Sequence, residues 1–290
     1  MTYFIDFAKN LIKKSNIGIN IFLLLNTLII VAVFSDGFKI VSGIFTGIAA
    51  YAISLAIALS PIGEWILRFQ TGCKKIEREE YISRLEPLFL EVLAKAKEIN
   101  TSIPDNVQLF MNGDQEPNAF ATGRKTVCLT KGFLNYSDEE IKATFAHELG
   151  HLAHKDTDLI LIVSIGNFIV TAIFIVYRVL AKICSILGAI AGRGLGRIIA
   201  DILVDIILVG LMWLWTKIGT ILVMHSTRQN EFLADEFAFN CGYGDNLAAV
   251  LDSFDGSGTK GLWANLAASH PDSDARIARL QQLGSNYIKA

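Results

Sequence analysis

The sequence predicts an α-helical membrane protein that carries a smaller α+β domain outside the lipid. Three observations support this fold class. The 290 residues are 52% hydrophobic and only 19% charged, whereas about a quarter of the residues in soluble proteins are charged. The mean hydropathy is +0.44. Four long apolar runs alternate with segments of ordinary soluble composition, and one such segment holds short strand-like stretches ahead of a capped helix.

Charge and cysteine content exclude other classes. The net charge of -2 argues against a nucleic-acid partner, because nucleic-acid binders normally have a basic surface. The four cysteines show no C-x-x-C spacing, so they indicate neither a disulfide framework nor a cysteine metal site. We interpret them as small buried side chains in a reducing compartment.

Residues 1–16, which carry three lysines, are predicted to be a cytosolic N-terminus, and residues 17–61 are predicted to be a transmembrane hairpin of two helices. Ile17 to Phe34 is uncharged and long enough to span a bilayer. A signal peptide is the alternative, but no A-x-A site follows the run, which favours a retained anchor. The second run, about Ile40 to Ser60, contains Gly43 and Gly47, a spacing that lets helices approach closely.

Residues 62–158 are predicted to lie in the cytosol, because basic residues flank both ends of the hairpin. Their pattern predicts a helix around 75–99 and short strands at 107–111, 118–122 and 126–130. Asn112-Gly113 predicts a hairpin turn after the first strand. Ser137 and Glu140 form an S-x-x-E capping box, which predicts the start of another helix.

Residues 159–225 are predicted to be a second transmembrane hairpin, with runs from Leu159 to about Val179 and from Ile202 to Met224. The linker between them is basic, although four spans would place it outside the cytosol, against the positive-inside rule. Either the second hairpin does not fully cross the membrane, or the orientation set by the first two helices overrides the charge of this linker. We favour four membrane spans. Asp205 and Lys217 interrupt the last run as functional or interfacial residues. Residues 226–290 are soluble again and mostly helical.

The helix that follows the capping box carries His147-Glu148-Leu149-Gly150-His151, an H-E-x-x-H motif. Residues four apart share one helix face, so the two histidines can hold one cation between them. Glu148 can then take the proton of a water bound to that cation. The alternative is a helix with two surface histidines.

A catalytic zinc site needs a third protein ligand. Glu231 and Asp235 follow the fourth apolar run, one helical turn apart. We therefore predict Glu231 as the third ligand and Asp235 as an outer carboxylate that supports a ligating histidine. The H-E-x-x-H-x-x-G-x-x-H pattern is excluded, because His154 and Thr157 occupy its glycine and third-histidine positions.

Further segments carry a family resemblance. H-E-L-G-H at 147–151, E-x-x-A-D at 231–235, Asn118 to Gly123, and Ser269-His270-Pro271 with the later Arg276-Ile277 resemble the HtpX-type membrane zinc metalloproteases. These are gluzincin peptidases related to the CAAX prenyl endopeptidases, and the resemblance covers nearly the whole chain. It implies a zincin-like α+β catalytic domain.

The resemblance also implies individual roles. His147, His151 and Glu231 would bind one Zn²⁺, and Glu148 would be the general base. Asn118 and Ala119 would lie on an edge strand that pairs with the substrate backbone. His270 would stabilise the oxyanion, and Arg276 would contact the substrate or the acidic site residues.

The sequence thus predicts a multi-pass zinc endopeptidase of the cytoplasmic (inner) membrane, with its catalytic domain facing the cytosol. The resemblance implies a role in protein quality control and stress response, with unfolded or membrane proteins as substrates and the lipid bilayer as a partner. Two alternatives remain: a CAAX-type processing endopeptidase, and a non-catalytic membrane scaffold with a structural zinc. The intact Glu148 argues against the scaffold. The sequence does not predict an oligomeric state.

Overall fold

The computed structural model describes residues 16–35, 40–189, 195–254 and 273–288. This part of the chain forms two compact units. The first, which we call the α+β unit, contains the described residues of Met1–Ile17, Glu64–Ile160 and Val223–Ala290. The second, the helical unit, contains those of Gly18–Gly63 and Leu161–Leu222.

The described chain is mostly helical, with one small sheet. Its helices are α1 (Ile17–Ser35), α2 (Ile40–Ala58), α3 (Pro61–Gln70), α4 (Glu79–Ile99), α5 (Asp138–His154), α6 (Asp156–Ile160), α7 (Asn167–Ala189), α8 (Leu195–Asn240), α9 (Gly244–Phe254) and α10 (Ser273–Leu283). The strands are β1 (Lys74–Lys75), β2 (Gln108–Asn112), β3 (Ala119–Thr122) and β4 (Thr126–Thr130). A π-helical segment, Leu161–Gly166, joins α6 to α7.

Two helical stretches in the described ranges, Asp156–Leu180 and Ile202–Leu222, are long and apolar enough to cross a membrane. A bent pair, Gly43–Ala58 with Pro61–Gln70, would add a third, and Ile17–Ala32 is a shorter apolar helix. The prediction of four transmembrane helices with a cytosolic catalytic domain therefore stays a prediction.

Close packing within the helical unit confirms the expectation for Gly47. A Cβ atom at Gly47 would lie 2.7 Å from the Val31 Cα, so α1 and α2 touch through their backbones at this point.

The two charged residues in the last apolar run, Asp205 and Lys217, both have partners. Asp205 accepts hydrogen bonds from Arg178, at 2.7 Å, and from Lys182, and the Lys217 ammonium lies over the Trp213 ring.

The sheet contradicts the predicted hairpin at Asn112-Gly113. Its strand order is β1-β2-β4-β3, with β2 parallel to β4 and β3 antiparallel to β4. Asn112 Oδ1 accepts from the Asp114 N–H at 2.8 Å, and Asn112 Nδ2 donates to the Thr71 carbonyl at 2.8 Å. These bonds hold a local Asx turn, and the chain crosses over before β3 and β4 form instead of reversing directly.

The core of the α+β unit packs α4 against α5 and the sheet. Apolar residues of α4 recur at helical spacing and are buried: Leu85, Phe89, Val92, Leu93 and Ala96. Phe89 meets Phe145 of α5 edge to face, with ring centroids 5.3 Å apart. This helix begins at Glu79, later than the sequence suggests, because Lys74 and Lys75 form β1 instead.

α8 runs without a break from Leu195 to Asn240. The sequence suggests an apolar run that ends near Met224 and a separate soluble helix after it. No glycine or proline interrupts 220–240, so the helix continues through the change in polarity. The same helix therefore carries both an apolar stretch and Glu231.

Candidate metal centre

The helix that carries the two histidines is fixed at both ends. The predicted capping box is present: the Glu140 N–H donates to Ser137 Oγ at 3.4 Å, and the Ser137 N–H donates to Glu140 Oε2 at 2.9 Å. At the other end Lys155 adopts the left-handed region, with φ of 62°. This conformation ends the helix, and the next helix begins at Asp156.

Three potential ligands converge between α5 and α8. His147 Nε2 and His151 Nε2 are 3.2 Å apart. The Glu231 carboxylate lies 3.5 Å from His147 Nε2 and 3.4 Å from His151 Nε2. All three side chains are buried, and their ligand atoms form a group that could hold a metal ion.

The spacing of this group fits a small tetrahedral cation. Two atoms that are each about 2.1 Å from such an ion lie about 3.4 Å apart, given the bond lengths usual for zinc. Two imidazoles and one carboxylate are also a donor set typical of catalytic zinc, which leaves one coordination position for water. The residues present therefore fit the metal that the sequence predicts.

Each histidine ring has a carboxylate next to its Nδ1 atom. His147 Nδ1 lies 2.9 Å from Asp235 Oδ1, and His151 Nδ1 lies 3.3 Å from Asp156 Oδ2. An outer carboxylate fixes the ring orientation and tautomer, so that Nε2 points toward the ion. The structure thus places Asp235 where the sequence predicts a supporting carboxylate.

The outer carboxylates have buried partners of their own. Arg276 makes a two-pronged pair with Asp235, with Nε to Oδ2 at 2.8 Å and Nη2 to Oδ1 at 2.5 Å, and its Nη1 lies 3.3 Å from Glu231 Oε2. Asn230 Nδ2 donates to Asp156 Oδ1 at 2.9 Å. Arg276 therefore contacts the acidic site residues; that it also binds substrate stays a prediction.

Electrostatics around the histidines favour positive charge. Burial opposes protonation, but hydrogen bonds to Asp235 and Glu231 raise the pKa of His147, and Glu231 and Asp156 raise the pKa of His151 well above its usual value. Burial would raise the pKa of Asp235, yet Arg276 holds it at about 2. A bound divalent cation would also balance the negative charge of these buried carboxylates.

Gly150 lets the two helices approach. A Cβ atom there would lie 3.0 Å from Ala234 Cα and 3.2 Å from Phe237 Cβ. Gly150 precedes His151, and Ala234 precedes Asp235. The glycine within H-E-L-G-H therefore sets the distance across which Glu231 meets the histidines.

Glu148 lies between the histidine helix and β3. Its Oε2 accepts a hydrogen bond from the Ala121 N–H at 2.5 Å, and the side chain is buried. In the described sheet β3 is an edge strand. The free edge of β3 therefore faces the carboxylate that the sequence predicts as the general base.

The register of β3 decides which main-chain groups face this free edge. Asn118 is paired with Thr130: the Thr130 N–H donates to the Asn118 carbonyl at 2.9 Å, and the Asn118 N–H donates to Thr130 Oγ1 at 2.7 Å. Main-chain groups alternate in an antiparallel pair, so those of Ala119 and Ala121 point away from β4. Ala119 thus lies on the edge as predicted, whereas the main chain of Asn118 is already bonded.

The chain has three further histidines, of which His154 and His270 bear on the predictions. His270 lies outside the described residues. His154 is half-buried, with its ring edge to face against Phe237 at 6.3 Å between centroids, and is not a member of the ligand group.

Sequence reasoning missed the site contacts of Asp156, Asn230 and Ala121. Asp156 is five residues after His151, beyond one helical turn, and the left-handed Lys155 breaks the helix between them. Asn230 directly precedes Glu231, but its partner is remote in sequence. The position of Asp156 just after a helix that carries metal ligands was the one available signal.

A helix with H-E-x-x-H, a glutamate from a second helix and an outer carboxylate on each histidine define the centre of a metalloprotease. Comparison with known proteins supports this class. Residues 83–283, more than half of the chain, match the model of peptidase family M48. The chain therefore belongs to peptidase family M48 and is a metalloprotease.

Curated relatives agree along most of the sequence. Protease HtpX of Psychrobacter sp. is 29% identical, covering 91% of this chain and 97% of the relative. Protease HtpX of Ectopseudomonas mendocina is 28% identical over 83% of this chain and 87% of the relative. A protease HtpX homolog of Sulfurovum sp. is 31% identical over 60% and 68%. The HtpX-type resemblance is confirmed.

Proposed function

We propose that this chain is a membrane-embedded zinc endopeptidase that hydrolyses misfolded or damaged membrane proteins at the cytosolic surface of the inner membrane. The observation that carries the proposal is the buried group of His147, His151 and Glu231, whose ligand atoms lie 3.2 to 3.5 Å apart. In this proposal these three residues hold Zn²⁺.

The ion, when bound, polarises the scissile carbonyl and lowers the pKa of a coordinated water to about 7. Glu148 takes the proton of the attacking water and delivers it to the nitrogen of the leaving amine. Asp235 and Asp156 keep both imidazoles oriented with Nε2 inward. Arg276 keeps Asp235 ionised, and His270 is proposed to stabilise the oxyanion.

The substrate is proposed to add to the sheet as an extended strand along β3. Ala119 and the Ala121 carbonyl supply the main-chain groups, and Asn118 borders the strand. Because the Ala121 N–H contacts Glu148, a chain paired there brings its scissile bond beside the general base. Recognition through the backbone suits unfolded polypeptides, since it depends little on side-chain sequence.

The test of this function is metal-dependent cleavage by the purified full-length protein in detergent. We expect close to one zinc per chain, cleavage of an unfolded model polypeptide, loss of cleavage with a chelator and recovery when zinc is restored. Cleavage that continues after complete metal removal would contradict the proposal.

The membrane orientation has a separate test. Gln282 is exposed on α10 of the α+β unit, so Gln282→Cys offers a handle for a membrane-impermeant maleimide. We expect labelling only after the inner membrane is permeabilised. Labelling with an intact inner membrane would place this domain on the other side.

A further inference from the structure

Three polar side chains form a hydrogen-bonded chain inside the helical unit. Trp215 Nε1 donates to Asn26 Oδ1 at 2.9 Å, and Asn26 Nδ2 donates to Asn167 Oδ1 at 2.9 Å. Asn26 is 2% exposed and Asn167 is 5% exposed. Polar side chains within membrane-spanning segments are costly, so such a cluster is a candidate functional site.

The direction of this chain is fixed by the indole. Trp215 can only donate, so the Asn26 atom that faces it is the carbonyl oxygen and the other is the amide nitrogen. The Asn167 atom that faces this nitrogen must then be its oxygen. Asn167 Nδ2 is left as a buried donor with no hydrogen-bond partner among the described residues. The cluster therefore offers a donor.

Asn26, Asn167 and Trp215 line a cavity of about 300 Å³ whose walls are otherwise mostly apolar. Two hydroxyls at the cavity are already bonded within their own helices: Thr171 Oγ1 to the Asn167 carbonyl at 2.8 Å, and Thr216 Oγ1 to the Met212 carbonyl at 2.9 Å. Asn167 follows the π-helical segment, and such segments are frequent at functional sites. The cavity thus suits an apolar group with one hydrogen-bond acceptor.

Depth distinguishes the possible sources of that acceptor. Asn167 is the twelfth residue of the 25-residue stretch Asp156–Leu180, close to its middle. Lipid ester groups lie at the edge of the hydrocarbon, about 15 Å from the centre of the bilayer. Acyl chains have no hydrogen-bond acceptor at this depth. A polar side chain within a transmembrane segment of another protein can supply one.

We propose that this cavity recognises transmembrane segments that carry an uncharged polar side chain near mid-span, with the Asn167 amide donating to that side chain. Such a segment exposes its polar residue when it has lost its proper partner helices. The inference rests on the proposed function, since it names a substrate class for the same protease. A symmetric pair of this chain fits less well, because two copies would present the same unpaired donor to each other.

The test uses two model substrates in proteoliposomes. They share an unfolded cytosolic tail and one apolar span, and differ only in asparagine or leucine at the middle of the span. We expect wild-type protein to cleave the asparagine substrate about three- to tenfold more efficiently, the range for one interhelical hydrogen bond in lipid. Asn167→Leu should abolish this preference.

Two further variants control for the possibility that Asn167→Leu misfolds. Met212→Trp fills the cavity and should also abolish the preference, whereas Ile207→Trp, at an exposed position of the same helix, should retain it. All variants should cleave a soluble unfolded polypeptide at the wild-type rate. Equal cleavage of both span substrates by wild-type protein would overturn the inference, and so would a preference that survives both cavity variants.

The outcomes separate this inference from the proposed function. If wild-type protein fails to cleave even the soluble polypeptide with zinc present, the proposed function fails instead. A photo-crosslinker at Leu208, in the cavity wall, should capture the asparagine substrate. Capture of a second copy of the enzyme in its place would assign the cavity to self-association.

Discussion

His151 Nδ1 lies 3.3 Å from Asp156 Oδ2, across the end of the helix that carries both histidines. Between them lies Lys155, whose φ of 62° ends the histidine helix before Asp156. Asn230 holds the other carboxylate oxygen of Asp156 at 2.9 Å. Each histidine of the candidate metal centre therefore has its own carboxylate beside Nδ1.

Asp156→Ala should weaken zinc binding by about 10- to 100-fold, the usual effect of removing an outer-shell partner of a ligating histidine. Asp156→Asn should have a smaller effect, because an oxygen acceptor remains. Competition with a chromophoric chelator measures this affinity. Asp105→Asn, at an exposed position, serves as the control, and an Asp156→Ala affinity equal to wild type would exclude the orienting role.

Glu231→Gln should lower the amount of zinc bound after dialysis, because a neutral amide is a poor ligand for this ion. Glu236→Gln is the matched control. Glu236 lies on the same helix but is partly exposed, and it pairs with Arg279 at 3.8 Å. Metal analysis of both variants decides the point: full occupancy in Glu231→Gln would mean that the third ligand lies elsewhere.

Arg276→Met should destabilise the metal-free protein by about 3–5 kcal/mol, because it leaves buried Asp235 without its cationic partner. Arg279→Met, on the exposed face of the same helix, should change stability by less than about 0.5 kcal/mol. Chemical unfolding in detergent measures both. Equal losses of stability in the two variants would show that the buried Arg276–Asp235 pair contributes no more to folding than an exposed arginine does.

Gly150→Ala should destabilise the protein by about 1–3 kcal/mol through overpacking against Ala234 and Phe237. It should also lower zinc occupancy, since the two ligand helices must move apart. Gly113→Ala is the control, because a Cβ there meets no atom within 4 Å. Thermal unfolding and metal content test both effects, and an unchanged melting temperature in Gly150→Ala would contradict the close approach.

The sequence predicts what depends on local signals. The capping box at Ser137 and Glu140 places the start of the histidine helix. Four-residue spacing predicts that His147 shares a helix face with His151, and Glu231 with Asp235. Both signals act within one or two helical turns. These predictions therefore do not depend on how remote parts of the chain pack.

What the sequence does not predict depends on remote contacts. Asn112-Gly113 has the chemistry of a hairpin turn, but the Asn112 side chain bonds Thr71, and β2 pairs in parallel with β4. The left-handed Lys155 is neither glycine nor asparagine, so no local signal predicts the break in the helix between His151 and Asp156. The role of the Ala121 N–H appears only when the sheet order is known.

The most direct test of the account is Glu148→Gln in the full-length protein. The substitution keeps the shape of the side chain and an oxygen that can accept from the Ala121 N–H, but removes the proton acceptor. We expect wild-type zinc content together with a loss of at least about 100-fold in cleavage of an unfolded model substrate, as for loss of a general base. Wild-type cleavage by a zinc-loaded Glu148→Gln protein would contradict the account.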